Sequence, residues 1–216
     1  MHLIQSHILK ELTHREKGKY AELKPAHVES NRFVYHLKRL LDDGLIAKNA
    51  SFYFLTAPGK RFISKLSLKS FSPRVQPKIV SVLIVQNREK KYLLMNSKRQ
   101  PFIGKISFPY GKIHYGETLT EAASRELREK TGLSAALMHC GDAYLSVREK
   151  GEIVSHMLCH VFYGKNPTGS LIETTKTHSN LWERLDHFPR DAFVPGFVDL
   201  NMLRLKKSPF FAELAV

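Results

Sequence analysis

The sequence is poor in cysteine, with only Cys140 and Cys159 among its 216 residues. Their spacing matches no zinc-binding or redox motif, which argues against a disulfide framework and predicts two buried free thiols. The sequence also lacks an apolar run of the length needed for a signal peptide near its start or for a membrane span elsewhere. These absences predict a cytoplasmic protein that has no membrane partner.

Acidic residues are scarce relative to basic ones, since 20 Asp and Glu stand against 34 Lys and Arg, for a formal net charge of +14. Residues 1–76 hold 14 basic and 6 acidic residues, a net of +8, whereas residues 77–216 hold 20 and 14, a net of +6. The positive excess is therefore denser in the first third. Such a surface attracts polyanions and releases their counterions, which favours DNA as a partner.

The first 67 residues show the hydrophobic periodicity of a small helical domain with one β-hairpin. Ile4, Ile8 and Leu12 recur at helical spacing, and a second periodic run extends from Ser30 to Gly44. The predicted elements, in order, are helices around 4–12, 20–24 and 30–43, strands at 45–48 and 52–55, and a basic helix at 58–66.

This order of elements, together with residues 33–46, resembles the winged helix-turn-helix domains of transcriptional regulators over about residues 1–67. The resemblance implies that the third helix enters the major groove of DNA while the hairpin touches the DNA backbone. A winged helix used for dimerisation or for contact with another protein is the alternative, so a homodimer stays open. The DNA-contacting side chains that the resemblance implies are Asn31, Arg32, Tyr35, His36 and Arg39 on the helix and Lys48 on the hairpin.

Residues 68–77 lose both periodicities and are rich in serine and proline, so they are predicted to link domain 1–67 to domain 78–216, with a boundary near Val75. The second domain opens with two apolar runs, residues 79–85 and 92–95, which are predicted strands. Further strands are predicted at 144–147 and 153–163, and a late helix at 199–207. This alternation predicts an α/β or α+β fold.

Residues 118–131 are rich in Ala, Leu, Glu and Arg and are followed by Gly132, which predicts a well-defined helix. Glu126 and Glu129 stand three residues apart and therefore share one face of that helix. They are suited to pairing with neighbouring basic side chains, as surface acids usually are. They are equally suited to sharing a hard divalent cation, which prefers oxygen ligands. Spacing alone leaves both interpretations open.

The wider pattern resembles the Nudix box, because eight positions match it at fixed spacing: Gly111, Glu117, Arg125, Glu126, Leu127, Glu129, Gly132 and Leu133. The resemblance spans about residues 78–207 and implies an α/β/α sandwich with a mixed sheet. It also implies hydrolysis of a nucleoside diphosphate derivative with Mg²⁺ or Mn²⁺ bound against the pyrophosphate.

Carried over residue by residue, the resemblance implies a role for the residues that match the motif. It implies that Glu126, Glu129 and the Gly111 carbonyl bind the metal and that Glu117 contributes to the same site, while Arg125 orients a glutamate. Glu126, Glu129 and Arg125 are then the catalytic set. The expected substrate contacts are Lys98 and Arg99 with phosphate and Tyr110 with the base.

The sequence departs from the family pattern at Lys130, where the Nudix box has a glutamate. A lysine four residues after Glu126 is positioned for an intrahelical ion pair that competes with a cation. No general base is obvious outside the box, and Glu173 is the first candidate for that role. A smaller departure lies in the lead-in, where Ile106 and Tyr110 replace a usual Trp and Gly.

Two functions therefore stay open. The first is a metal-dependent hydrolase, weakened by Lys130, with an appended DNA-binding domain. The second is a transcriptional regulator whose Nudix domain senses a nucleotide or a nucleotide sugar without catalysis. His156 and His160 share one side of a predicted strand, and without further ligands we interpret them as structural.

Overall fold

The computed structural model describes residues 1–67, 69–206 and 209–216, which form two compact units, Met1–Val75 and Gln76–Val216. Leu68, where the predicted linker begins, and Lys207, where the predicted late helix ends, lie outside the described residues. Among the helices of these three ranges, none has both the length and the apolar character needed to cross a membrane.

The first unit packs its helices against a small antiparallel sheet with the strand order β1-β3-β2. The predicted helices and hairpin are present, while the short strand β1 has no counterpart in the sequence-based expectation. The elements are α1 (Leu3–Thr13), β1 (Gly18–Lys19), α2 (Tyr20–Leu23), α3 (Ser30–Asp42), β2 (Ile46–Asn49), β3 (Phe52–Leu55) and α4 (Ala57–Ser64).

Helices α1 and α3 supply most of the core of this unit. The periodic apolar residues of α1 are almost fully buried, as are Phe33, Leu37 and Leu40 of α3. Because these residues recur every three or four positions, each helix turns one stripe inward and the opposite one to solvent. The solvent-facing stripe of α3 carries the side chains that the sequence predicts to contact DNA.

Part of the predicted linker belongs to the first unit. Phe71 packs against its core, and the Arg74 amide donates a hydrogen bond of 3.0 Å to the Lys65 carbonyl. Leu66 and Pro73 form an isolated antiparallel bridge. The chain therefore returns to the first unit before it enters the second.

The second unit is built on a mixed sheet with the strand order β12-β5-β4-β10-β9-β13, in which β4 and β10 are parallel, as are β9 and β13. Strand β6 pairs with β5, β7 pairs with β4, and β8 pairs separately with β11. The elements are β4 (Lys78–Gln86), β5 (Tyr92–Ser97), β6 (Ile106–Ser107), β7 (Tyr110–Lys112), α5 (Leu119–Thr131), β8 (Leu133–Ser134), β9 (Leu137–Glu149), β10 (Glu152–Lys165), β11 (Thr168–Gly169), β12 (His178–Glu183), α6 (Phe197–Lys206) and β13 (Phe210–Ala215).

Side chains of β4 alternate between two cores, one on each face of the sheet. Val82 and Ile84 pack with Phe197 of α6 on one face. Leu83 packs with Leu127 of α5 on the other face. Successive side chains of a strand point to opposite faces of its sheet. Because both faces of this sheet are covered, apolar side chains of β4 can point to either face, which explains its continuous apolar run. The predicted mixed α+β architecture is confirmed, with α5 on one side of the sheet and α6 on the other.

Candidate active site

The motif glutamates lie on α5 and in the loop that leads from β7 into it. Thr118 caps the helix, because its hydroxyl accepts a hydrogen bond from the Glu121 amide and the Glu121 side chain bonds the Thr118 amide in return. Gly132 ends the helix with a φ of +74°, a conformation that residues other than glycine adopt only with strain. These two signals fix the length of α5 and hence the face that its glutamates share.

The guanidinium of Arg125 joins the three glutamates of the motif. It donates to both carboxylate oxygens of Glu117, at 2.5 and 2.9 Å, and to Glu126 Oε1 at 2.8 Å. It also donates to Glu129 Oε2 at 3.2 Å and to the Lys112 carbonyl at 3.1 Å. Because the planar fork carries five donors, one side chain can hold all of these acceptors together.

These contacts favour the ionised form of Glu117. The hydrogen bond from Arg125 lowers the pKa of Glu117 to about 2, with a further contribution from the His114 amide, which donates to Glu117 Oε2 at 2.8 Å. The same bonds, with Glu117 the largest contributor, raise the pKa of Arg125. Glu117 is therefore a carboxylate throughout the physiological pH range.

Glu126 is the most buried of the three glutamates, with its side chain 8% exposed. Its Oε2 lies 3.5 Å from Lys130 Nζ, so the expected intrahelical ion pair is present. A Cβ at Gly111 would lie 1.8 Å from the same oxygen, so only glycine leaves room for the carboxylate here. This close approach of the Glu126 carboxylate to β7 explains why position 111 is a glycine.

The last turn of α5 is held by two polar side chains of β12 that the sequence did not single out. Asn180 Nδ2 donates to the Lys130 carbonyl at 2.9 Å, and His178 Nε2 lies 3.0 Å from the same oxygen. Both side chains are buried, and burial lowers the pKa of His178. Because the strand lies about 50 residues further along the chain, no local pattern could have revealed the contact.

A cleft of about 370 Å³ opens beside Glu126. Phe102 and Met157 are apolar residues of its lining, which also includes the buried Ser155, and the Ser155 hydroxyl has no hydrogen-bond partner among the described residues. Glu126 supplies a carboxylate, while the basic side chains of its lining are Lys78, Arg99, Lys112 and Lys130. The excess of positive charge makes the cleft suited to an anion.

Two of the three residues expected to contact the substrate line the cleft, and the third does not. Arg99 and Tyr110 line the cleft, whereas Lys98 lies elsewhere, because its ammonium donates to Thr174 Oγ1 at 2.5 Å and to the Thr175 carbonyl at 3.1 Å. Tyr110 packs edge-on against Phe197, and burial raises its pKa. Lys98 therefore anchors a loop rather than facing the cleft.

Two more motif-related side chains are exposed. Glu129 is 59% exposed at the side chain, and Arg125 is its partner on the helix. Glu173, the first candidate for a base outside the motif, is exposed and does not line the cleft, and its carbonyl accepts from the Asn180 amide at 2.7 Å.

The α3 surface of the first unit presents most of the residues expected there. Asn31, Arg32, Tyr35 and Arg39 are exposed, as is Lys48 of β2. His36 departs from the expectation, because it is 9% exposed and its ring stacks on that of His2 at 3.9 Å. Burial is the largest of the effects that lower the pKa of His36. Its ring is therefore part of the packing between α1 and α3 and not of the exposed surface.

Comparison with known proteins gives matches to part of the chain. Over 74 residues the chain is 36% identical to an ADP-ribose pyrophosphatase of Methanocaldococcus jannaschii, covering 34% of this chain and 43% of that protein. Over 99 residues it is 31% identical to the human 8-oxo-dGDP phosphatase NUDT18, covering 45% of this chain and 28% of that protein. The aligned segments thus span less than half of either relative.

A solved structure has the same fold. The MutT protein of Bacillus halodurans matches with a TM-score of 0.53 and 20% identity, over 64% of this chain and 89% of that one. The sequence profile of the NUDIX domain matches residues 76–200, which is more than half of the chain. The second unit, with Glu126 of α5 in the lining of its cleft, is covered by this match, and the protein is therefore a member of the NUDIX domain family.

Proposed function

We propose that the protein is a divalent-metal-dependent hydrolase of a nucleoside diphosphate derivative and that its first unit binds DNA. The observation that carries the first part is the convergence of Glu117, Glu126 and Glu129 on Arg125 beside a basic cleft. Both curated relatives are named for substrates that contain a nucleoside diphosphate, ADP-ribose and 8-oxo-dGDP. That shared chemistry supports the substrate class.

The cleft offers complementary groups for such a substrate. Four basic side chains line it, and a diphosphate carries several negative oxygens that guanidinium and ammonium groups bind by charge-assisted hydrogen bonds. Phe102 and Tyr110 provide an apolar and aromatic wall against which a base or a sugar packs. The pairing of a basic wall with an aromatic one supports a nucleotide over a free inorganic anion.

The donor atoms at the motif fit a hard divalent cation. Three carboxylates lie within bonding distance of one guanidinium, and Glu126 Oε2 occupies the space beside the Gly111 backbone that a side chain at position 111 would need. Mg²⁺ and Mn²⁺ prefer such oxygen ligands. Glu126 and Glu129, with the Gly111 carbonyl, would hold the ion. A bound cation neutralises phosphate oxygens and lowers the pKa of water.

The chain's own residues then divide the remaining work. Arg125 holds the carboxylates in one orientation, so that little reorganisation is needed during the reaction. Arg99 and Lys112 bind phosphate oxygens of the substrate from the cleft wall. Glu129, the most exposed motif carboxylate, would reach the ion from the solvent side of the helix.

Lys130 lowers the net negative charge of the group formed by the three motif glutamates and Arg125. With three glutamates, Arg125 and Lys130 all ionised, the net charge is −1. A glutamate in place of Lys130 would make four negative charges against one positive, a net of −3. The electrostatic attraction for a divalent cation is therefore much weaker in this chain than it would be with the full motif.

The Lys130 ion pair also supports a second candidate function. If the ammonium satisfies Glu126 permanently, the cleft retains its basic wall and binds a nucleotide without hydrolysing it. The protein would then be a regulator in which a bound nucleotide changes the affinity of the first unit for DNA. By linkage, DNA would change the affinity for the nucleotide by the same factor.

For the first unit we propose a winged helix in which α3 reads the major groove of DNA. Helices α1 to α3 precede the β2–β3 hairpin, and α3 has an exposed face with Asn31, Arg32, Tyr35 and Arg39. Asn and Arg make bidentate contacts with base edges. Lys48 lies on β2, where an ammonium reaches phosphate. His36 is left out of this surface because it is buried.

We expect Glu126→Gln and Glu129→Gln to abolish Mg²⁺-dependent hydrolysis of ADP-ribose. Each removes an anionic metal ligand, so activity should fall more than about 100-fold, the upper range for residues that only support ligands. Chromatography of the released nucleoside monophosphate measures it. Glu121→Gln is the matched control, because glutamine also completes the capping box of α5. Full activity in both variants, or in excess chelator, would contradict the assignment.

We expect Lys130→Glu to lower the Mg²⁺ concentration needed for half-maximal activity by at least about tenfold, because it restores an oxygen ligand and frees Glu126. Arg128→Glu makes a similar charge change on the same helix and should have little effect. An unaltered Mg²⁺ dependence in an active Lys130→Glu variant would show that Lys130 does not limit the metal site. A wild type that binds ADP-ribose without hydrolysing it at saturating Mg²⁺ would favour the regulator.

We expect the full chain to bind duplex DNA with an affinity that falls as salt rises, by a slope of about −0.9 in log–log form for each phosphate neutralised. Arg32→Ala with Arg39→Ala should reduce that slope by about 2 as measured by fluorescence anisotropy. Lys10→Ala with Lys60→Ala removes the same charge from exposed positions outside α3. A flat salt dependence, or an equal loss in both double variants, would rule out α3 as the contact surface.

A further inference from the structure

A second group of metal-ligand side chains lies on β9 and β10, outside the lining of the cleft. Asp142 Oδ1 is 2.8 Å from His139 Nε2 and 2.7 Å from His160 Nδ1. One potential ligand atom from each of the three residues lies within 4.8 Å of the others. His160 is 13% exposed at the side chain, while Asp142 and His139 are about one third exposed. The group is thus partly buried and open on one side.

A β-bulge brings His139 and Asp142 to the same side of the sheet. Residues three apart in a regular strand point to opposite faces. In β9, however, the register against β10 shifts: Gly141 pairs with Val161, whereas His139 already pairs with Phe162. The extra residue reverses the alternation at this point, as bulges do where a side chain is re-aimed.

The backbone around Asp142 fixes this bulge. Gly141 has a φ of +147°, and a Cβ there would lie 2.4 Å from the Phe210 carbonyl of β13. Asp142 pairs with His160 on one side and with Phe211 on the other, so its strand is held between two neighbours. The cluster is therefore set by the sheet and not by a flexible loop.

We propose that His139, Asp142 and His160 bind a divalent transition-metal ion of the Zn²⁺ class, at a site separate from the glutamates of α5. Two imidazoles and one carboxylate are ligands that such an ion prefers, whereas Mg²⁺ prefers oxygen alone. Three protein ligands leave a fourth position for water or another small ligand on the exposed side. The two sites differ in donor type and are distinguishable by their metals.

A metal ion would need all three separations to adjust, including that of the two imidazole nitrogens, which lie within 4.8 Å of each other. Ligand atoms about 2.0 to 2.1 Å from a tetrahedral ion lie roughly 3.4 Å from one another. The two nitrogen–oxygen distances are 2.7 and 2.8 Å, so each must open by about 0.6 Å. Rotation of the partly exposed His139 and Asp142 side chains supplies that movement, while His160 and the backbone stay in place. Without metal, the same atoms are joined by hydrogen bonds.

Calorimetric titration of the tag-free full chain with Zn²⁺ tests the proposal, with excess Mg²⁺ present to occupy the oxygen site. We expect one Zn²⁺ per chain to bind at micromolar concentration or tighter. His139→Gln and His160→Gln should each weaken binding at least tenfold. His187→Gln is the matched control, because His187 pairs with Glu183 at 3.0 Å as an exposed histidine–carboxylate pair. It should leave Zn²⁺ binding unchanged.

A thermal-unfolding measurement guards against misfolded variants. Zn²⁺ should raise the unfolding temperature of the wild type, because an ion that binds only the folded state stabilises it. Asp142→Asn keeps the side-chain volume and should lose that increase while its metal-free unfolding stays cooperative. Zn²⁺ binding that is unchanged in His139→Gln and His160→Gln, or absent from the wild type at about 100 µM, would overturn the proposal and leave a hydrogen-bonded cluster.

Discussion

The bonding of one guanidinium to three carboxylates is the interaction on which the site of the second unit depends. Arg125 is 14% exposed and holds Glu117 from the loop together with Glu126 and Glu129 from its own helix. Without that cation, three carboxylates would repel one another across a few ångströms. The caps at Thr118 and Gly132 fix the helix, and the glycine at 111 lets Glu126 approach β7. Each of these features keeps the carboxylates together.

The same interaction explains what Lys130 changes. Arg125 compensates part of the negative charge and also orients the carboxylates, since its contacts are directional. Lys130 adds a second positive charge at 3.5 Å from Glu126 without such a fork of donors. A cation bound at the motif would therefore compete with an ammonium at the most buried carboxylate. This competition connects the departure from the family motif to the choice between a hydrolase and a nucleotide-binding regulator.

The sequence predicted interactions within elements better than contacts between them. The Glu126–Lys130 pair follows from a spacing of four residues on a helix. The contact between Arg125 and Glu117 depends on the path of the loop between β7 and α5, which no local pattern predicts. Regular alternation along β9 would place His139 and Asp142 on opposite faces of the sheet, and only the β-bulge brings them together. The burial of His36 had a visible signal, because it stands three residues after Phe33 and four before Leu40, on the apolar stripe of α3. Strand β13, parallel to β9, has no comparable signal.

The central claim is that Arg125 keeps Glu117 ionised and holds the three motif carboxylates together. The most direct measurement is the side-chain pKa of Glu117, followed by carbon-13 NMR in the wild type and in Arg125→Ala. We expect a pKa of about 2 in the wild type and a rise towards the ordinary value of 4.5 in the variant. A wild-type pKa near 4.5, or the same low pKa in both proteins, would contradict it.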